Sequence, residues 1–217
     1  MKPPPYRRMG SARYDSNVIK HLANIRTSGT IVRSSPYLIS RLLRSIDFSQ
    51  ARTVVQLGMG TGCITRELLK RLHPDARLIA IEVNRVFIDD CDIHDARLIL
   101  RHACASTLRG LLADLGLSQI DYVVSSLPLA IMDDGLVERI LSASQSLLTD
   151  DGMFVQYQYS LSQRSALERR FRDVRVGFTL ANIPPAFVYE CSNVVPDEAP
   201  ALIRGHTPHS APSPASR

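Results

Sequence analysis

No apolar run in this sequence approaches the ~18–20 uninterrupted residues that a membrane-spanning helix needs. Cysteine is scarce. Cys63, Cys91, Cys104 and Cys191 fall at irregular spacings with no C-x-x-C pair, which indicates neither a disulfide framework nor a zinc ribbon. No G-x-S-x-G elbow occurs, so Ser/His/Asp hydrolase chemistry has no support. The opening MKPPPYRRMGSARYD carries bases without an apolar stretch behind them and does not read as a secretory signal. What is present, 217 residues of which 45% are hydrophobic and 22% charged, suffices to bury a core and excludes wholesale disorder. The expectation is a cytoplasmic protein built on one domain of ordinary size.

The net charge of +5 is unevenly spread. Residues 1–46 hold nine bases against the single acid Asp15, a net +8, so the remainder carries −3. A cationic leader on a mildly anionic body points to an anionic partner, either a lipid surface or nucleic acid. Within the leader, Tyr14, Val18, Ile19, Leu22 and Ile25 fall at helical spacing, with Arg13, Asn17, Lys20 and Asn24 opposite. That pattern predicts an amphipathic helix over residues 14–25, able to pack on the body or to lie in a membrane interface. A second helix is predicted from Pro36, a residue suited to the first helical position, through Leu38, Ile39, Leu42, Leu43 and Ile46.

Strands and helices alternate from Thr53 onward. Residues 53–57, 78–82, 97–101, 121–125, 153–157, 174–180 and 187–191 read as strands, most with helical spacing between them. Such alternation predicts a doubly wound, mostly parallel α/β sheet of seven strands. Residues 192–217 contain five prolines and little apolar content, and are expected to be a disordered tail. The chain therefore divides into a basic arm with helices (1–46), a nucleotide-binding domain (47–191) and the tail (192–217). Asp89, Asp90, Asp92, His94 and Asp95 crowd one connection, but their spacing matches neither zinc nor EF-hand sites, so no metal is expected.

The clearest motif is Gly58-Met59-Gly60-Thr61-Gly62, directly after a strand and directly before a helix. Glycines there let the chain turn sharply and let backbone approach a ligand, while the helix start offers N–H groups to it. A dinucleotide fingerprint needs a glycine at the sixth position, where this chain has Cys63. The next strand, Leu78-Ile79-Ala80-Ile81-Glu82, ends in an acid that would emerge beside the loop at the topological switch, where ligands bind in such sheets. A carboxylate at that place can accept both hydroxyls of a ribose.

Loop, helix, strand and terminal acid together resemble the S-adenosylmethionine site of class I methyltransferases. The resemblance implies a Rossmann-like methyltransferase domain with an N-terminal helical cap. It implies S-adenosyl-L-methionine as cofactor, held by Gln56, Gly58, Gly60, Gly62, Glu82, His102, Ala103 and Ser125. Gln56 stands where the family usually has an acid, and His102 where many relatives have an aspartate near adenine. Three further stretches resemble bacterial phospholipid N-methyltransferases: Ser28-Gly29-Thr30-Ile31-Val32-Arg33-Ser34-Ser35, Ser125-Ser126-Leu127-Pro128-Leu129 and Asn182-Ile183-Pro184-Pro185-Ala186. Arg33 replaces a usual proline and Ser126 a usual glycine. That family methylates the amine of phosphatidylethanolamine. The likeness places Ser125, Tyr159 and Tyr14 at the acceptor, with Tyr37 and Tyr157 as further rings able to attract a sulfonium or ammonium charge. It also implies a peripheral position on an anionic membrane surface.

Three alternatives stand beside this reading. A small-molecule N- or O-methyltransferase would keep the same scaffold. An enzyme like the rRNA adenine dimethyltransferases would use the basic arm, but the Asn-Pro-Pro-Tyr type motif for planar nitrogens is absent, which argues against nucleic acid. A non-catalytic cofactor-binding protein would accommodate Gln56 and His102.

Overall fold

A computed structural model describes residues 34–193. The amphipathic stretch at 14–25, with Tyr14, and the tail beyond Asn193 lie outside the described residues. The first described element is α1 (Pro36–Leu42), which begins as its sequence requires. The Ser35 hydroxyl accepts the Leu38 N–H at 3.1 Å, and Pro36 occupies a position whose N–H would have no helical partner.

The alternation then runs β1 (Thr53–Leu57), α2 (Cys63–Arg71), β2 (Arg77–Glu82), α3 (Arg85–Asp89), β3 (Leu98–His102), α4 (Leu108–Asp114), β4 (Ile120–Ser125), α5 (Asp134–Leu147), β5 (Leu148–Gln158), α6 (Arg164–Arg170), β6 (Asp173–Thr179) and β7 (Ala186–Ser192). All seven expected strands form, in the order β3-β2-β1-β4-β5-β7-β6. β1 to β5 pair in parallel, whereas β7 runs antiparallel to both β5 and β6. Only six residues join β6 to β7, and a parallel crossover needs a dozen or more, so the chain has to turn back as a hairpin.

Strand alternation divides the core into two layers. Val54, Leu78, Val124, Val155 and Val188 face α1 and α2, burying Leu38, Leu42, Ile64 and Leu68 with them. Their neighbours Val55, Ile79, Val123, Phe154 and Tyr189 face the other way, onto α4, α5 and α6. Helices on both faces explain why these strands read as continuous apolar runs. α1 is thus one wall of the sheet's own core. β1 lies between β2 and β4, so successive connections leave it in opposite directions and open a crevice at the carboxyl ends of the strands.

Candidate active site

The crevice is built around the turn that follows β1. Backbone bonds anchor it on both sides: Gly58 N–H donates to the Ile81 carbonyl at 2.9 Å, and Ser126 N–H donates to the Leu57 carbonyl at 3.0 Å. The Ser126 hydroxyl adds a bond to the Gly58 carbonyl at 2.7 Å. Gly58 has φ +80°, and a Cβ there would stand 3.1 Å from Ser126 Oγ and 3.2 Å from a Leu127 methyl. Gly60, at φ +53°, is different. A Cβ on it would meet nothing within 4 Å, and Gly60 borders both the main cleft and a smaller neighbouring hollow.

Glu82, at the end of β2, is 7% exposed and holds the loop from below. One carboxylate oxygen accepts the Gly60 N–H at 2.9 Å and the other accepts the Asn84 N–H at 2.8 Å. Its carbonyl accepts the Ala103 N–H at 3.1 Å, which ties in the turn after β3. Each carboxylate oxygen retains further acceptor capacity, and Glu82 lines the cleft. The cleft measures about 460 Å³ and runs from this acid to the ends of β4 and β5. Met59, Phe87, Leu127 and Met132 make its walls largely apolar. Glu82 is the one acid among the described lining residues, and they include no lysine, arginine or histidine.

The far wall is aromatic. Tyr157 and Tyr159 meet edge to face with ring centroids 5.8 Å apart, and the Tyr157 hydroxyl accepts from Ser34 Oγ at 3.2 Å. Burial pushes the Tyr157 phenol up to about 12, so it stays neutral across the working range. Burial raises the Tyr159 phenol as well, against the pull of side-chain hydrogen bonds with Asn182 and Tyr157. Asn182 is buried in the turn between β6 and β7; it accepts the Ser35 N–H at 3.0 Å and donates to the Pro184 carbonyl at 2.8 Å. Ser35 Oγ returns a bond to the Ala181 carbonyl at 2.7 Å. The three stretches at Ser34-Ser35, Ser126–Leu129 and Asn182–Pro185 therefore meet around one cleft.

Of the residues expected at the site, Gly58, Gly60, Glu82, Ala103 and Tyr159 line the cleft. Others do not. Gln56 is fully buried, outside the cleft lining: its amide oxygen accepts from Thr65 Oγ1 of α2 at 2.8 Å and its amide N–H donates to the Gly58 carbonyl at 3.4 Å, so it braces the glycine turn from within. Ser125 is also fully buried, with its hydroxyl near the Leu127 N–H at 3.4 Å, and its neighbour Ser126 lines the cleft instead. His102 ends an edge strand with its side chain exposed, and its Nε2 lies 3.0 Å from the Val83 carbonyl, outside the cleft lining. Gly62 caps α2 and borders a smaller neighbouring hollow with Arg66 and Asp92.

Two further polar side chains shape the cleft without a motif to mark them. Gln156 and Gln158 each donate a side-chain N–H to the Leu127 carbonyl, at 2.8 and 2.9 Å, and so fix the loop after β4. Their signal is polar residues two apart on one face of an otherwise buried strand. Replacing both with leucine removes two donors from that carbonyl and leaves it the Leu129 N–H at 2.8 Å. The expected cost is about 0.5–1.5 kcal/mol of stability per lost hydrogen bond, read as a lower midpoint in denaturant.

The residues present fit S-adenosylmethionine. A glycine turn open toward the cleft adjoins a carboxylate able to take ribose hydroxyls, and two neutral phenol rings belong to the same cleft. Residues 17–181 match the methyltransferase small domain family. The ornithine lipid N-methyltransferase of Singulisphaera acidiphila is 32% identical over 169 residues, covering 76% of this chain and 88% of the relative. The precorrin-6y C5,15-methyltransferase of Geobacter metallireducens superposes with a TM-score of 0.57 at 15% identity, over 76% of this chain and 92% of the other. Human methyltransferase-like protein 13 in complex with SAH does so with a TM-score of 0.53 at 14% identity, over 82% and 83%. These two structures share the fold.

Proposed function

Because the chain belongs to the methyltransferase small domain family and is an S-adenosylmethionine-dependent methyltransferase, we propose that its acceptor is the primary amine of an acyl-lipid headgroup. The likeness to a lipid N-methyltransferase across most of both chains carries this reading. The motifs around Ser126 and Asn182 favour phosphatidylethanolamine, and the relative's own substrate class adds ornithine lipid. The protein would act from the cytoplasm as a peripheral protein on the bilayer.

Glu82, the Gly58–Gly60 turn and the Ala103 backbone would hold the cofactor, which supplies an electrophilic methyl group when bound. The acceptor needs a free lone pair, so its nitrogen must be neutral at the moment of transfer. The rings of Tyr157 and Tyr159 would stabilise positive charge near that nitrogen. Apolar walls exclude water and hold the reactants, and such positioning accounts for much of the rate in a transfer of this kind.

A pH dependence follows. An alkylammonium has a pKa of about 10.4, and the described lining offers no side chain placed as a base. The Tyr157 phenol, at about 12, stays protonated throughout. kcat/KM for the lipid should therefore rise about tenfold per pH unit above neutrality, without a falling limb below the amine's own pKa. A plateau near neutral pH would reveal a protein base and overturn this account of the site. The acceptor class is tested with a panel of free ornithine, ornithine lipid and phosphatidylethanolamine. Transfer to an acylated member alone is expected; transfer to the free amino acid alone would move the protein to the small-molecule reading.

A further inference from the structure

β1 to β5 are parallel, and β6 runs with them because β7 is antiparallel to both β5 and β6. Their carboxyl ends therefore share one edge of the sheet, the edge that carries the cleft. Eight large apolar side chains are exposed among the described residues, and all belong to that edge. Val86 follows β2, Ile131 follows β4 and Leu161 follows β5. Leu180 and Ile183 stand in the turn after β6 and are 74% and 86% exposed. Tyr37 is two residues from Ser35, which is bonded to Ala181 and Asn182 of that same turn. Isolated exposed apolar residues are ordinary on a protein surface, but their restriction to the one edge of the sheet that carries the cleft is not, and Ile131 and Tyr159 among them line it.

Charge identifies the occupant. The chain enters this edge at Ser34, which lines the cleft. The 33 residues before it carry seven bases and one acid, a net +6. An apolar rim joined to a strongly cationic segment matches an anionic bilayer, where side chains enter the acyl boundary and bases meet headgroup charge.

We infer that the carboxyl edge of the sheet is a membrane-docking face, with the turn at Leu180 and Ile183 as its wedge and the cleft mouth held against the bilayer. The inference rests on the lipid-amine reading and deepens it. A headgroup amine then reaches the cleft while its acyl chains stay in the membrane, so the enzyme does not have to extract the lipid.

The test uses the full chain with Leu180→Asp and Ile183→Asp together, neither of which lines the cleft. Co-sedimentation with phosphatidylglycerol-containing vesicles should weaken by roughly tenfold or more, the equivalent of losing the burial of one to two aliphatic side chains. S-adenosylmethionine affinity by calorimetry should be unchanged, which also reports that the fold is intact. Leu161→Asp, in a separate loop, should weaken vesicle binding in the same direction. Variants that pellet like the wild type would overturn the proposal, because residues 1–33 or another surface would then carry binding. A wild type that ignores the vesicles would overturn it too. Transfer to detergent-dispersed amine lipid separates this failure from that of the function: if only the docking face is wrong, wild type and variants all methylate the dispersed lipid, and if the acceptor is wrong, none does.

Discussion

Gly60→Val abolishes S-adenosylmethionine binding while leaving the protein folded. Its Cβ would find no protein atom within 4 Å and Gly60 lines the cleft, so the added side chain is expected to compete with the ligand for that space. The fold bears the change because a left-handed backbone costs a non-glycine residue roughly 1–2 kcal/mol, against a typical domain stability of about 5–15 kcal/mol. Calorimetry with the cofactor and a thermal melt on the same sample measure the two effects. A substitution at Gly58 would behave differently. There a Cβ presses on Ser126 and Leu127 and distorts the joint between the two loops, so stability should fall along with affinity. Normal cofactor binding by Gly60→Val would remove the glycine turn from the site.

Glu82→Ala is expected to weaken cofactor binding on the order of a hundredfold or more. A hydrogen bond to a charged group is worth about 1.5–3 kcal/mol, and this carboxylate would make such bonds to the ligand while already accepting the Gly60 and Asn84 N–H groups. Removing it takes away a ligand contact and releases the loop that shapes the cradle. Glu82→Gln separates the two roles. The amide keeps one acceptor oxygen but turns an NH₂ toward a backbone donor, so its dissociation constant should fall between those of wild type and alanine. An alanine variant that binds like wild type would show that the acid only braces the turn.

The fold was legible in the sequence because its signals are local. Each strand is a short apolar run flanked by turn residues, and the glycine turn and Glu82 each mark the carboxyl end of a strand. The hairpin of β6 and β7 follows from a connection too short to cross over, but the insertion of β7 between β5 and β6 depends on contacts with residues far away in the chain. The expected site residues that do not line the cleft share one cause. Gln56 is polar at the end of a strand, and nothing beside it says that Thr65, on the following helix, takes its oxygen. Ser125 and Ser126 are adjacent serines on opposite faces of the chain, and a shift of one residue exchanges which of them meets the cleft. His102 sits on an edge strand where a side chain can turn to solvent. Gln156 and Gln158 act on Leu127, a partner that only the β4–β5 pairing brings within reach.

The proposed reaction in this cleft is transfer of a methyl group from S-adenosylmethionine to a lipid amine. It is tested most directly by incubating the full chain with methyl-labelled cofactor and vesicles containing ornithine lipid or phosphatidylethanolamine, then extracting into organic solvent. Label is expected in the organic phase, on the headgroup nitrogen by fragmentation mass spectrometry, and none with Gly60→Val. Label that stays with a water-soluble acceptor or with RNA, or that reaches the lipid equally with Gly60→Val, would contradict it.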